Sequence, residues 1–153
     1  MKFRMVDNIV AYDPGCSIRG TKVVSFEEYQ LKSAFAGPPT LPESLIMEAL
    51  FQLGSWLITL TSDFAQMGQV VRFRRAEFLH ALTPGRSMLM EIRARRYREN
   101  AVLFEGEARA GQQTIVRGRS CLAVPVDLSP YCDPADLRVL FSEIYRPPKD
   151  ARG

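Results

Sequence analysis

One long apolar stretch, residues 44–60, constrains the fold of this chain more than any other part of the sequence. Pro42 precedes it, and proline suits the first turn of a helix. The stretch is interrupted by Glu48 and Gln52, and it predicts a helix over residues 42–60 that is apolar on nearly every side. Such a helix is normally buried all round because a sheet wraps it. The stretch falls short of the roughly 20 residues of a membrane span, so we expect a core helix and no membrane association.

The remainder of the chain is rich in β-strand patterns. The segments FRMVDNIVAY and SIRGTKVVSF flank DPG, whose Pro14 and Gly15 are turn residues, and together they predict a hairpin. Further strands are predicted over residues 69–79, 87–97, 102–110 and, after the turn AGQQ, 114–124. A hairpin, one buried helix and a run of strands indicate an α+β fold in which an antiparallel sheet wraps the helix.

The sequence changes character from Pro125 onward. In DPADLRVLFSEIY, Asp133 is placed to cap a helix and Pro134 to occupy its first turn. Apolar residues then recur at helical spacing: Leu137, Leu140, Phe141 and Ile144. We expect a domain over residues 1–126 and a C-terminal extension over residues 127–153. In that extension a short helix packs on the domain and the final RPPKDARG is disordered.

Composition indicates one domain with its own core, since the 153 residues are 46% hydrophobic and 24% charged. The three cysteines, Cys16, Cys121 and Cys132, are odd in number, widely spaced and accompanied by one histidine. This pattern argues against a disulfide framework and a zinc site, so we expect reduced thiols, no metal and no cofactor. The start, MKFRMVDNIV, lacks the extended apolar segment of a signal peptide, and we expect a cytoplasmic protein.

Arginines are unevenly distributed, although the formal net charge is only +3. Arg72, Arg74 and Arg75 lie in VRFRRAEF, and a second group lies in IRARRYREN. Basic residues that alternate along strands usually face water, so solvated strand faces are the simplest interpretation. A docking surface for an acidic partner or a phosphate-bearing ligand is the alternative. We do not expect nucleic-acid binding, because no motif of a nucleic-acid module accompanies these residues.

Four separated segments carry a family resemblance: FRMVDNIVAYDPG, FAGPPTLPESLIMEALFQ, LTPG and LFEGEARAGQQTIVRGRSCLAV. They occur in the order and approximate spacing seen in the 3-hydroxyacyl-acyl-carrier-protein dehydratases of bacterial fatty-acid synthesis, which the sequence resembles over residues 3–124. The resemblance implies the hot-dog fold, an antiparallel sheet wrapped around a long central helix. It also implies an acyl thioester on an acyl-carrier protein as ligand. A dimer is expected because a single hot-dog domain leaves a sheet edge and pocket surface uncovered.

The site pattern of that family is Gly-His-Phe-Pro-Gly-x-Pro-x-x-Pro-Gly, followed on the helix by Glu-Ala-x-x-Gln. This chain keeps Phe35, Gly37, Pro39, Pro42, Glu48, Ala49 and Gln52. The position of the catalytic histidine falls on Ala34, and that of the glycine after the last proline falls on Glu43. The resemblance implies substrate-binding positions at Phe35, Gly37, Pro42 and Gln52.

The differences from the family pattern at Ala34 and Glu43 both affect the dehydration chemistry. Dehydration of a 3-hydroxyacyl thioester needs a base for the α-proton, an acid for the hydroxyl group, and donors for the thioester oxygen. The resemblance implies that these are the histidine, the helix carboxylate of the neighbouring subunit, and amides at the helix start. Glu48 keeps the acid's position, and burial favours the protonated form of a carboxyl group. Ala34 cannot be a base, and Glu43 would compete with a substrate oxyanion at the positive helix end.

Two residues are candidates to replace the missing base. His80 is the only histidine, although a lone histidine beside leucines is more often structural. Glu43 is the other candidate, as a carboxylate base paired with Glu48, since hot-dog thioesterases generally rely on a carboxylate. The simpler alternative is that Glu48 is only a buried acid satisfied by Gln52, one turn further along the helix.

Three functions follow from these observations. The first is a dehydratase-like subunit of fatty-acid or polyketide-type biosynthesis that binds acyl thioesters without full catalysis, as a homodimer or as a heterodimer with an active dehydratase. The second is an enzyme with altered chemistry, either a dehydratase or isomerase or a carboxylate-dependent thioesterase. The third is a structural domain in a biosynthetic assembly. In the first two, Arg72, Arg74 and Arg75 are candidates for docking the carrier protein.

Overall fold

The computed structural model describes residues 4–25 and 39–149. The elements are β1 (Asn8–Asp13), β2 (Ser17–Val23), α1 (Glu43–Thr61), β3 (Gln66–Arg72), β4 (Arg75–Phe78), β5 (Ser87–Tyr97), β6 (Val102–Ala110), β7 (Gln113–Asp127) and α2 (Pro134–Ile144). These strands form one antiparallel sheet in the order β1-β2-β5-β6-β7-β3, and β4 also pairs with β7. Helix α1 packs against β2, β3, β5, β6 and β7. The predicted α+β architecture, a sheet around a central helix, is confirmed.

The core forms between α1 and the inner face of the sheet. Along β5 and β6, side chains alternate between this buried face and the outer face, as the two-residue period of a strand requires. Leu50, Leu53 and Leu57 of α1 meet the inner face and are fully buried. Gly54 brings the helix close to the sheet, since a Cβ atom added there would lie 2.9 Å from the ring of Phe104.

The predicted single strand over residues 69–79 is wrong, because this segment forms two strands, β3 and β4. Both pair with β7, β3 through residues 122–127 and β4 through residues 116–119. Between these two stretches Ser120 has a φ of +52°, a left-handed conformation that bends β7. The other strands fall where the patterns predict them, and Gly15, with a φ of +74°, forms the turn between β1 and β2.

Helix α1 is not buried all round, which corrects the expectation from its apolar sequence. One side is buried against the sheet, whereas Leu45, Glu48, Phe51 and Gln52 on the other side are only half-buried. A sheet can cover only the side of a helix that it faces. We call these four residues the open stripe of α1, because the described chain leaves them accessible to a second molecule.

Helix α1 is also longer than the apolar stretch that was compared above with the length of a membrane span. With 19 residues and a mean hydropathy of 1.3 over an 18-residue window, it is long and apolar enough to cross a membrane by length and composition. More than half of that window, 56%, is buried inside the chain. Among the described residues, this one candidate span is therefore the core helix of the fold.

The predicted C-terminal helix is confirmed as α2. The Asp133 carboxylate accepts a hydrogen bond from the N–H of Ala135 at 2.9 Å, and Pro134 occupies the first turn. Ile144 is buried, and Leu140 and Phe141 pack against the core, so the helix docks on the domain as expected. Residues 146–149 have no helix or strand, and the remainder of the tail predicted to be disordered lies outside the described residues.

Candidate functional site

Glu48 and Gln52 form a hydrogen-bond network on the open stripe of α1. The Gln52 side chain donates from Nε2 to Glu48 Oε1 at 3.0 Å and accepts at Oε1 from the backbone N–H of Met5 at 2.8 Å. Gln52 therefore ties the segment before β1 to the helix and also orients the carboxylate. The predicted pairing of Glu48 with the residue one turn later is confirmed.

Glu48 is half-buried within this chain and not enclosed in the core, which corrects the idea of a fully buried acid. Its neighbour on the stripe, Phe51, contacts Phe73 with ring centroids 5.7 Å apart. Phe73 follows directly after β3, so the open stripe continues onto the edge of the sheet. The carboxylate is therefore accessible from the side of the molecule where the sheet also ends.

Strand β3 is an edge strand in the described part of the chain, since it pairs with β7 alone. Two apolar side chains beside this edge are exposed, Val71 to 56% and Phe73 to 45%. Exposed edge strands offer unpaired N–H and C=O groups to a partner strand. Sequence reasoning missed Phe73, although an aromatic residue among the arginines of VRFRRAEF is a signal for a contact surface.

A cavity of about 370 Å³ brings together the two replacement candidates for the base, at the start of α1. It is lined by Thr40, Leu41, Pro42, Glu43, Ile46, Phe78, Leu79, His80 and Ala81. The His80 Nδ1 atom lies 2.8 Å from the carbonyl oxygen of Thr114. A carbonyl only accepts, so Nδ1 carries the proton in this bond and the neutral ring keeps Nε2 as its acceptor.

Glu48 does not line this cavity. It lies five residues after Glu43, and five residues along an α-helix turn the side-chain direction by about 140°. These two carboxylates of one chain therefore do not share this cavity, and their action as a pair stays a prediction. The structure instead offers two separate places, the Glu43–His80 cavity and the open stripe with Glu48.

Pro42 contributes to the first of these places. Its carbonyl oxygen accepts from the N–H groups of Leu45 and Ile46, and it lines the cavity. Ala34, Phe35 and Gly37 lie outside the described residues, so the roles that the resemblance implies for them stay predictions.

The arginines divide into paired and unpaired groups. On the outer face of the sheet, Arg93, Arg95 and Arg117 form ion pairs with glutamates at 2.6–3.1 Å, in agreement with a solvated strand face. In β4, the Arg75 guanidinium lies 3.0 Å from the Glu77 carboxylate. Arg72 and Arg74 are exposed and form no ion pair with the described residues.

No metal cluster is found in the part of the chain that the structure describes. No three His, Cys, Asp or Glu side chains there lie close enough together to hold a metal ion. Cys16, Cys121 and Cys132 are free thiols, as predicted. Burial, reinforced by the charge of Glu105, raises the pKa of the Cys121 thiol to about 11, which disfavours the reactive thiolate.

Solved structures that share this arrangement of sheet and helix are hot-dog proteins. A hot-dog-like protein from Thermanaerovibrio acidaminovorans matches with a TM-score of 0.62 at 17% identity, over 84% of this chain and 91% of its own. The dehydratase heterocomplex ApeI:P from Xenorhabdus doucetiae matches with a TM-score of 0.64 at 17% identity, over 82% of this chain and 84% of that chain. The predicted hot-dog fold is confirmed.

Within this class, the sequence defines the family. Residues 1–119 match the model of the FabA-like domain. The 3-hydroxyacyl-acyl-carrier-protein dehydratase FabZ of Caulobacter vibrioides is 32% identical over 114 residues, 72% of each protein. The FabZ of Pelotomaculum thermopropionicum is 29% identical over 123 residues, 80% of this chain and 88% of the relative. The chain belongs to the FabA-like family of hot-dog dehydratases, as the resemblance predicts.

The Gln52 network gives a stability prediction. Gln52→Met keeps the length of the side chain but removes the hydrogen bonds to Glu48 and to the Met5 N–H. We expect the free energy of unfolding to fall by about 1–3 kcal/mol, the usual cost of lost hydrogen bonds that leave a partner unpaired. Urea unfolding measures this loss, and hydrogen exchange should show faster exchange of the Met5 amide. Gln69→Met, on the exposed side of β3, is the matched control, and equal losses in both variants would contradict the network.

Proposed function

We propose that this chain is a dehydratase-like subunit of fatty-acid or polyketide-type biosynthesis in the cytoplasm, which binds an acyl thioester but lacks the base for catalysis alone. It works in a dimer with a second hot-dog subunit that keeps the histidine. One observation carries this proposal: Gln52 holds Glu48 on the open stripe. The family resemblance, in addition, aligns Ala34 with the position of the histidine. The chain thus retains an accessible acid without its partner base.

The position of Glu48 supports a site shared between subunits. The open stripe and the exposed edge of β3 form one continuous surface through Phe51 and Phe73. A partner that pairs with this edge would cover the apolar side chains and bring its own loop beside Glu48. The match to a dehydratase heterocomplex from Xenorhabdus doucetiae favours a partner different from this chain.

The composition of the dimer then determines the number of complete sites. If each site takes its base from one subunit and its acid from the other, a heterodimer has one complete site, which contains Glu48 and the partner's histidine. The second site would have Ala34 in place of the base. A homodimer of this chain would have no complete site of this kind.

The reaction in the complete site is an elimination. The partner's imidazole removes the α-proton of the 3-hydroxyacyl thioester, and the C–H electron pair forms the double bond between the α- and β-carbons. The C–O bond at the β-carbon breaks, and the hydroxyl group leaves as water with a proton from the Glu48 carboxyl group. Backbone N–H groups stabilise the negative charge that develops on the thioester oxygen.

Arg72 and Arg74, which form no ion pair within the described residues, supply a docking surface for the carrier protein. Arg72 and Arg74 flank Phe73, so two positive charges and an exposed aromatic ring lie beside the edge of β3. Arg75 extends the positive surface, although Glu77 partly neutralises it. Charge complementarity of this kind steers an acidic partner toward the site. No nucleic acid and no cofactor are part of this proposal.

The Glu43–His80 cavity favours a second candidate function, an enzyme with altered chemistry. The Thr114 carbonyl holds His80 with Nε2 free to accept a proton, and Glu43 lines the same cavity of about 370 Å³. A base at Nε2 would serve a dehydratase, an isomerase or the hydrolysis of an acyl thioester. This candidate requires turnover by the chain without a partner.

Activity of a reconstituted pair tests the shared site. The chain is co-expressed with a histidine-containing dehydratase homologue from the same organism, and dehydration of a 3-hydroxyacyl-acyl-carrier protein is measured. We expect Glu48→Gln to lower kcat of the pair by roughly 10²–10⁴-fold, because an amide cannot donate the acid's proton. The control Glu99→Gln, in an exposed loop, should leave kcat unchanged.

The same assay separates the three functions. Equal rates for the Glu48→Gln pair and the control would contradict the shared site. Turnover by the chain alone that is lost in His80→Ala and kept in Glu48→Gln would establish the second candidate. Absence of any binding to carrier protein or acyl thioester would leave a structural domain.

Charge reversal tests the docking surface. Arg72→Glu/Arg74→Glu should weaken binding of an acyl-carrier protein by about tenfold, which is 1.4 kcal/mol, and make it less sensitive to salt. Arg96→Glu/Arg98→Glu changes the net charge equally at an exposed position remote from β3 in sequence and is the matched control. Surface plasmon resonance at two salt concentrations measures the affinity and its salt dependence for the two double variants. A similar loss in the two double variants would show a general effect of net charge and no docking site.

A further inference from the structure

The opposite edge of the sheet, at β1, is closed by the C-terminal extension. On its inner side β1 pairs with β2. On its outer side Ile9 forms a parallel bridge with Tyr145, and the Ile9 carbonyl accepts a hydrogen bond from the N–H of Arg146 at 2.8 Å. The register of β1 also shifts between Ile9 and Ala11, an irregularity that interrupts regular pairing. The extension thus occupies a place that a further strand would take.

An aromatic cluster holds the extension in this place. The ring of Phe141, on α2, is central to it. Phe141 stacks on Tyr145 at 5.1 Å and contacts Tyr12, Phe64 and Trp56 at centroid distances of 5.8–6.0 Å. Such pairs contribute beyond the area that they bury, by about 0.5–1.5 kcal/mol each. The cluster joins α2 to β1, to α1 and to the turn after α1.

Arg138 adds a second attachment, at the turn that follows α1. Its guanidinium lies 4.4 Å from the centre of the Phe64 ring and donates to the backbone carbonyl of Asp63 at 3.0 Å. Asp63 and Phe64 both have positive φ, at 52° and 64°. A positive φ is energetically unfavourable for residues other than glycine, so a contact that holds this backbone conformation stabilises the turn. The extension therefore contacts and stabilises a turn whose backbone conformation is unfavourable by itself.

The extension also contacts α1 one turn beyond the open stripe. Trp56 follows Gln52 by four residues and lies on the same side of α1. The ring of Phe141 packs on Trp56, so the extension covers part of this side of the helix beyond the open stripe. The family match ends at residue 119, within β7, and the extension lies beyond it.

We infer that residues 134–146 are an edge cap, which closes the β1 edge of the sheet against the addition of a strand from another chain. An unpaired edge strand is a template for adding further chains. With this edge closed by the chain's own residues, a second copy cannot add a strand at β1. This inference concerns assembly and does not depend on the chemistry at Glu48.

The double variant Phe141→Ala/Arg146→Pro tests the edge cap in the full-length chain. Alanine removes the central ring of the cluster, and proline removes the N–H that donates to Ile9. We expect the molar mass, measured by light scattering after size exclusion, to rise above that of the natural chain and to increase with concentration. The emission of Trp56, the only tryptophan, should shift to longer wavelength as its cover is lost.

The matched control is Val139→Ala/Arg146→Ala, which trims a side chain that is 58% exposed and keeps the backbone donor. Its mass and emission should equal those of the natural chain. A double variant with shifted emission and unchanged mass would overturn the inference, because the edge would then be open without consequence. Unchanged emission together with unchanged mass would also overturn it, since these contacts would not hold the cap. If circular dichroism shows that the double variant is unfolded, Arg146→Pro alone, which keeps the cluster, is judged by the same mass criterion.

Discussion

The structure depends on how a single long apolar helix is covered. Helix α1 has more apolar surface than one antiparallel sheet can face, so the sheet buries one side and leaves Leu45, Glu48, Phe51 and Gln52 half-buried. Removal of apolar surface from water is the main favourable term in folding and in association. The open stripe is therefore both the place of the acid and a surface that gains from a partner. Close packing of Gly54 on Phe104 fixes which residues face outward.

The described chain covers the exposed side of α1 near one edge of the sheet and leaves it uncovered near the other. At the β1 edge, the chain covers its own surface with α2, whose Phe141 packs on Trp56. At the β3 edge no described segment covers Val71 and Phe73, and the stripe continues onto the edge. Glu48 thus lies on the side of the helix that the sheet does not cover. In the proposed function, the same partner that covers this surface also supplies the base that Ala34 lacks.

Sequence patterns predicted those parts of the fold that depend on local order. The alternation over residues 87–97 and 102–110 and the capping pattern of Asp133 and Pro134 each define an element without reference to distant residues. The break between β3 and β4 is not predictable in this way, because it depends on pairing with two stretches of β7 that lie on either side of the left-handed Ser120. Nor does an apolar run reveal which of its sides the chain itself covers. The pairing of Gln52 with Glu48 was predictable from helical spacing, whereas the meeting of Glu43 and His80 depends on tertiary packing.

The central claim is that the chain keeps a dehydratase site from which the base has been removed. The most direct measurement is dehydration of a 3-hydroxyacyl-acyl-carrier protein by the chain alone after Ala34→His/Glu43→Gly, which places a histidine and a glycine where the family resemblance implies them. The account predicts that this double variant, as a homodimer with Glu48 across the interface, exceeds the natural chain in kcat by at least about 100-fold, the contribution of a positioned base. It also predicts that adding Glu48→Gln abolishes the gain. A folded, dimeric double variant with no more activity than the natural chain would contradict the account.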